Sequence, residues 1–105
     1  MKLVEVCTTL DDGERARLIA RTVVERRLAA CAQIATVDSI YRWDGALCET
    51  PEFRITMKTA AASAAALQAA VRALHPYELP EILARPLDCD DPAYAAWVVD
   101  NSAGG

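Results

Sequence analysis

The residues best suited to chemistry lie in one short run that holds the only histidine of the chain and two of its prolines. The run reads His75-Pro76-Tyr77-Glu78-Leu79-Pro80-Glu81. Each proline fixes its own φ and pushes the residue before it towards an extended conformation, so the run cannot lie inside a helix. An imidazole, a phenol and carboxylates on a rigid connection could bind a metal, move protons or simply fix a loop. The run alone leaves these three roles open.

Four cysteines are the other candidates for metal or redox chemistry. Cys7, Cys31, Cys48 and Cys89 form no CxxC pair and have no spacing typical of a zinc ribbon. Their even number permits two disulfides, but the first residues lead straight into a predicted strand with no apolar signal segment. We therefore expect free thiols and a cytoplasmic location.

Composition predicts one domain over residues 1–105 and gives no support for a nucleic-acid or a membrane partner. The chain is 53% hydrophobic and carries a formal net charge of -4, so a nucleic-acid partner has no overall electrostatic support. Arginines cluster on the first predicted helix, where a solvated helix face is the favoured interpretation. No segment has the length and apolarity of a membrane span, so we expect no membrane partner.

We expect no enzymatic activity. A nucleophile pair of Cys7 and His75 would need an orienting group and an oxyanion hole, and no motif marks either. The chain has only 4 glycines, and none forms a Gly-rich phosphate loop.

The first half of the chain predicts a strand, a helix and a second strand. Alternating apolar residues indicate a strand over 2–8. Asp11 or Asp12 can cap the helix that follows, and its apolar residues recur at helical spacing to about Leu28. The second strand spans roughly 32–43.

A hairpin follows this second strand. Asp44-Gly45 is typical of a tight turn between antiparallel strands. Beyond it, three large apolar residues alternate with polar ones: Phe53, Ile55 and Met57. Pro51 is expected at a sheet edge or a bulge.

The last part of the chain predicts helix, strand and helix. An alanine-rich helix runs from about 60 to 74 and stops before Pro76. A short strand over 81–86 follows. Asp91 can cap a final helix that begins at Pro92 and passes through Val99, and the tail 102–105 is expected to fray.

This order predicts an α+β fold: a ferredoxin-like βαββαβ antiparallel sheet with two helices on one face plus a C-terminal helix. We expect the helices to cover only one face of the sheet, so that the opposite face carries Leu3, Cys7 and part of the long hairpin. That surface is too apolar to remain in water, so we expect it to meet another subunit.

Several runs together resemble the CutA family, the divalent-cation tolerance proteins. They cover almost the whole chain in order and with similar spacing. The runs are Val6-Cys7-Thr8, Glu25 to Cys31, Ser39 to Gly45, Met57-Lys58-Thr59, His75 to Ile82 and Asp91 to Trp97. The chain departs from the common family pattern at Thr9-Leu10, at Asp44 and at Ala32-Gln33, and the first departure lies beside Cys7.

The resemblance implies a homotrimer similar to the trimers of the PII signalling proteins, and a link to tolerance of copper and other divalent cations. It also implies a copper (Cu²⁺) site made by Cys7, His75 and Glu81. Thiolate and imidazole suit copper, and a carboxylate adds charge and an oxygen donor. The alternative is that Cys7 is a half-buried apolar residue and His75 a hydrogen-bonded turn residue.

Three further residues are candidates for a pocket between subunits: Trp43, Lys58 and Tyr77. The aromatic pair could instead serve as an interface anchor and a packed ring. The expected function is therefore copper binding by a trimer in metal tolerance. The alternative is a PII-like signalling or scaffold trimer that binds a small molecule or a partner protein.

Overall fold

The computed structural model describes residues 2–104, which form four strands, three α-helices and one 3-10 turn. In chain order these elements are β1 Lys2–Leu10, α1 Gly13–Glu25, β2 Cys31–Trp43, β3 Ala46–Ala60, the 3-10 turn Ala61–Ser63, α2 Ala64–Leu74, β4 Ile82–Asp88 and α3 Pro92–Asn101.

The four strands form one antiparallel sheet with the order β2-β3-β1-β4. The central strands β1 and β3 are paired along Leu3–Ala60 to Leu10–Phe53. This topology confirms the predicted ferredoxin-like α+β fold. β1 is two residues longer than predicted, because Thr9 and Leu10 still pair with β3.

The main core lies between one sheet face and helices α1 and α2. Val6 and Leu10 point from β1 into this core, and Ile55 and Met57 point from β3; all four are fully buried. Alternate residues of a strand face opposite sides of the sheet. Glu5 and Cys7 therefore lie on the other side, which we call the open face.

Helix α1 ends at Glu25, earlier than the predicted Leu28. Arg27 adopts a left-handed conformation with φ 59°, which ends the helical path. The backbone N–H groups of Arg27 and Leu28 bond to the carbonyls of Val24 and Val23, at 3.0 and 2.9 Å. This pair of bonds is a Schellman cap, with arginine where glycine is usual.

The hairpin between β2 and β3 turns as predicted. Asp44 and Gly45 have φ values of 51° and 77°, as a type I′ turn requires. The pairing of β3 with β1 stops at Phe53, whereas its pairing with β2 continues to Trp43–Ala46. The distal half of the hairpin, including Pro51, is therefore only two strands wide.

Helix α3 packs on the open face, so the expectation that helices cover only one face is wrong. Leu3 is 2% exposed and packs with Ala95 and Val98 of α3. The rest of the open face is mixed: it carries an ion pair between Glu5 and Arg85 at 2.8 Å, and also Leu83, which pairs with Cys7 and is 60% exposed. Helix α3 thus covers only part of the open face.

The tail after α3 is anchored, and for residues 102–104 the prediction of fraying is wrong. Ser102 is fully buried and its hydroxyl accepts a bond from the Ala60 N–H at 3.0 Å. The Gly104 N–H bonds to the Arg27 carbonyl at 3.0 Å. A Cβ on Gly104 would lie 2.4 Å from the Cβ of Arg27, so this close approach needs glycine. Residue 105 lies outside the described residues.

Within residues 2–104, no helix combines the length and apolarity needed to cross a membrane.

Candidate functional site

The run from His75 to Glu81 connects α2 to β4 at the end of the sheet where β1 stops. His75 caps the C-terminus of α2 with φ -74° and ψ 135°, the extended conformation that a following proline favours. The Thr8 hydroxyl donates to the Glu81 carbonyl at 2.7 Å. Both ends of the run are therefore tied to α2 and β1.

Both ring nitrogens of His75 are hydrogen-bonded. Nε2 lies 3.0 Å from the Thr9 carbonyl, and Nδ1 accepts the Tyr77 N–H at 3.2 Å. These partners require a proton on Nε2 and a free lone pair on Nδ1, which is a neutral imidazole. Burial lowers the pKa of His75 against the opposing effect of the Thr9 bond. His75 therefore acts as a neutral bridge between β1 and the run.

Cys7 lies half-buried on the open face of β1. Burial raises the pKa of its thiol, and the negative charge of Glu81 acts in the same direction. Arg54 and Arg85 oppose this effect with their positive charges. Cys7 and Glu81 are therefore close enough for the carboxylate charge to act on the thiol, as a shared metal site requires.

The three predicted copper ligands do not converge within one chain. Among residues 2–104 no group of three His, Cys, Asp or Glu side chains has the arrangement to hold a metal ion. The lone pair that His75 would give to a metal is occupied by the Tyr77 N–H. The donor types fit copper, but a His75–metal bond requires that this turn reorganise.

Tyr77 contacts a carboxylate that the sequence analysis did not select. Its hydroxyl donates to Oε2 of Glu52 at 2.8 Å, and Glu52 is only 6% exposed. Burial raises the pKa of Tyr77 far above its usual value, and the bond to Glu52 adds to this. The phenol therefore remains a donor. No local signal marks Glu52, because its burial comes from the crossing of the run over β3.

A cavity of about 640 Å³ opens beside this pair. It lies between the end of β1, the distal half of the β2–β3 hairpin and the run from Tyr77 to Glu81, and we call it the hairpin cavity. Two of the three predicted pocket residues, Trp43 and Tyr77, line it. Lys58 does not, and its ammonium instead donates to the Gln33 side chain at 3.1 Å.

Comparison with known proteins places these residues in a family context. A family model described as CutA1 divalent ion tolerance protein matches residues 4–101. A divalent-cation tolerance protein CutA of Thermus thermophilus is 41% identical over 98 residues, which cover 92% of this chain and 95% of the relative. A mouse protein named CutA is 44% identical over 91 residues, which cover 86% of this chain but 51% of the relative.

Solved structures show the same architecture. A CutA structure from Synechococcus elongatus has a TM-score of 0.91 at 34% identity and covers 96% of this chain and 90% of that one. A divalent cation tolerance protein from Thermus thermophilus gives a TM-score of 0.88 at 41% identity, over 97% of this chain and 99% of that one.

Proposed function

The chain belongs to the family of CutA1 divalent ion tolerance proteins, and from this membership we propose that it binds divalent copper as part of metal tolerance. The observation that carries the proposal is that the charge of Glu81 acts on the Cys7 thiol of β1, within a chain whose relatives are named for cation tolerance. A thiolate and a carboxylate supply soft and charged donors that suit Cu²⁺.

In this proposal Cys7 and Glu81 are the first ligands and His75 is the third candidate. Copper binding must displace the proton of the Cys7 thiol, because only the thiolate is a good ligand. His75 joins the site only by giving up the Tyr77 N–H, so its first role is to hold the run against β1. Further donors can come from a neighbouring subunit.

A copper titration against a competing chelator tests the ligand assignment. We expect Cys7→Ser and Glu81→Gln each to weaken Cu²⁺ binding by about tenfold or more, because each removes a charged donor. Cys48→Ser is the matched control, since this half-exposed thiol lies in the hairpin. The Cu²⁺ affinity of His75→Gln tests whether the imidazole gives up its hydrogen bonds to the backbone and binds the metal. Weaker binding by this variant would show that it does. Unchanged affinity in Cys7→Ser would overturn the proposal.

Copper binds adventitiously to many proteins, so a measured affinity must be accompanied by the copper content that the protein has in the cell. We expect protein purified after native expression to contain copper and the Cys7→Ser variant to lack it. Equal metal content in the two proteins would contradict a role for this site. The proposal includes a cytoplasmic location, a compartment in which cysteine thiols stay reduced.

We further propose that the working form is a homotrimer, the number that the family resemblance implies. The support in this chain is the distal half of the hairpin, where Ile40, Trp43 and Leu47 are 67%, 53% and 66% exposed. A two-stranded ribbon is marginally stable in water on its own. Second copies of the chain would cover these apolar side chains and extend the ribbon.

A further inference from the structure

We propose that Arg54 and Arg85 are specificity-determining residues beside Cys7 and Glu81, and that they make this site favour monovalent copper, Cu⁺, over divalent ions. The inference rests on the proposed function, since it concerns the same site, and deepens it by naming the charge of the preferred ion. The site then accepts Cu²⁺ but holds copper more tightly as Cu⁺.

The pairing of the strands places both arginines beside Cys7. On the open face Cys7 lies opposite Thr56 of β3 and Leu83 of β4. Arg54 and Arg85 each stand two positions from one of these partners, so they share the open face with the thiol. Such diagonal neighbours are separated by roughly 7–8 Å. The register therefore puts two positive side chains next to the thiol.

The charges nearest to Cys7 balance each other. Glu5 lies two positions before Cys7 on the same face and forms the 2.8 Å ion pair with Arg85. Glu81 and Arg54 also act on the thiol, with opposite signs. Two carboxylates and two guanidinium groups leave these surroundings neutral, so the site offers no excess of negative charge to a divalent ion.

A third cation, Lys58, lies on the other diagonal of Thr56. Its ammonium donates to the Gln33 side chain of β2 at 3.1 Å, which directs it away from β1. Its charge has the same sign as those of the arginines, so it can only add to their effect.

The proton on the Cys7 sulfur decides which ion the arginines oppose. Burial and the charge of Glu81 raise the pKa of this thiol, so at neutral pH a bound metal replaces the S–H proton, which leaves to solvent. Exchange of H⁺ for Cu⁺ keeps the charge of the site unchanged, whereas exchange for a divalent ion adds one positive charge. Arg54 and Arg85 therefore repel a divalent ion and do not discriminate against Cu⁺.

The donors within one chain also fit Cu⁺ better. Cu²⁺ favours tetragonal sites with nitrogen and oxygen donors, whereas thiolates select Cu⁺. Within residues 2–104 no three His, Cys, Asp or Glu side chains are placed to hold a metal ion, and Nδ1 of His75 accepts the Tyr77 N–H. Cys7 and Glu81 are few donors for Cu²⁺, but Cu⁺ is stable with roughly two or three ligands.

The test compares Cu⁺ with Cd²⁺, a soft divalent ion that does not oxidise thiols. Both are titrated without oxygen at neutral pH and constant ionic strength, Cu⁺ against bathocuproine disulfonate and Cd²⁺ against a fluorescent chelator. Arg54→Gln and Arg85→Gln should each strengthen Cd²⁺ binding by about threefold to tenfold, a modest gain because solvent screens these exposed side chains. Cu⁺ binding should change by less than about twofold.

Matched variants show whether charge is the cause. Arg54→Lys and Arg85→Lys keep the positive charge and should keep the parental ratio of the two affinities. Arg21→Gln is the control, because it removes an exposed arginine from α1, on the other side of the sheet. It should change neither affinity by more than about twofold. Circular dichroism checks that each variant is folded.

Cys7→Ser separates this inference from the proposed function. If Cys7→Ser binds both ions as tightly as the parent protein, the ligand assignment fails and the inference fails with it. If Cys7→Ser loses binding but the glutamine variants change both affinities by the same factor, or change neither, only the selectivity assigned to Arg54 and Arg85 is overturned.

Discussion

At the scale of single residues, His75 and Tyr77 together attach the run from His75 to Glu81 to the end of the sheet. The imidazole joins the run to Thr9 of β1, and the phenol joins it to Glu52 of β3. Their rings meet edge to face with centroids 4.8 Å apart, a favourable arrangement for aromatic side chains. This packing places Glu81 near Cys7 and Glu52 beside the hairpin cavity.

The state of His75 predicts how stability depends on pH in metal-free protein. Burial lowers its folded pKa below the ordinary value of 6.5. Between these two pKa values the unfolded chain therefore binds more protons than the folded chain. The free energy of unfolding should fall as the pH drops from neutral through this window, by at most about 1.4 kcal/mol per pH unit from this one group.

Urea unfolding at one protein concentration, with EDTA present and between about pH 5 and 7.5, measures this effect. His75→Gln is the matched variant, because it keeps a polar side chain and cannot titrate. Its stability should vary less with pH in this window. The same slope in both proteins would show that other groups cause the dependence.

At the scale of elements, the C-terminal tail fixes α3 to the sheet. The Ser102 hydroxyl accepts from Ala60 at the end of β3 and donates to the Val98 carbonyl at 2.6 Å. Arg27 donates to the Asp100 carbonyl and accepts from Gly104. The end of α1, the end of β3 and α3 are thereby held together.

Ser102→Ala should destabilise the protein by about 1–3 kcal/mol, because it leaves the partly buried Ala60 N–H without its partner. Asn101→Ala is the control, since Asn101 is exposed and its amide bonds only to the Trp97 carbonyl. The control should change the free energy of unfolding by no more than about 0.5 kcal/mol. Equal effects in urea unfolding would contradict a specific role for Ser102.

At the scale of the whole molecule, one chain is elongated, with extents of 46 × 25 × 20 Å. The distal half of the β2–β3 hairpin is paired only within itself and exposes large apolar side chains. Exposed apolar surface of this kind marks an interaction site. The proposed trimer would cover this surface.

Ile40→Asp should therefore disrupt the oligomer, because it places a charge on the proposed interface. Light scattering should report about three times the 11.4 kDa chain mass for the unchanged protein and a lower mass for the variant. Leu18→Asp is the matched control, since Leu18 is an aliphatic residue 48% exposed on α1. A single-chain mass for the unchanged protein would overturn the trimer.

The sequence by itself determined the order of elements, the hairpin turn and the rigid run after α2. These features depend on local preferences: alternation in β1, the φ values of Asp44 and Gly45, and the restrictions that Pro76 and Pro80 impose. Family motifs added the candidate ligands Cys7, His75 and Glu81.

Only the tertiary structure decided what those residues contact. The bonds of Tyr77 to Glu52, of His75 Nε2 to Thr9 and of Ala60 to Ser102 join residues 25, 66 and 42 positions apart. Local patterns carry no information on such pairs, because burial and hydrogen bonding depend on which elements cross. For the same reason α3 covers Leu3 and the tail is ordered, although composition predicted neither.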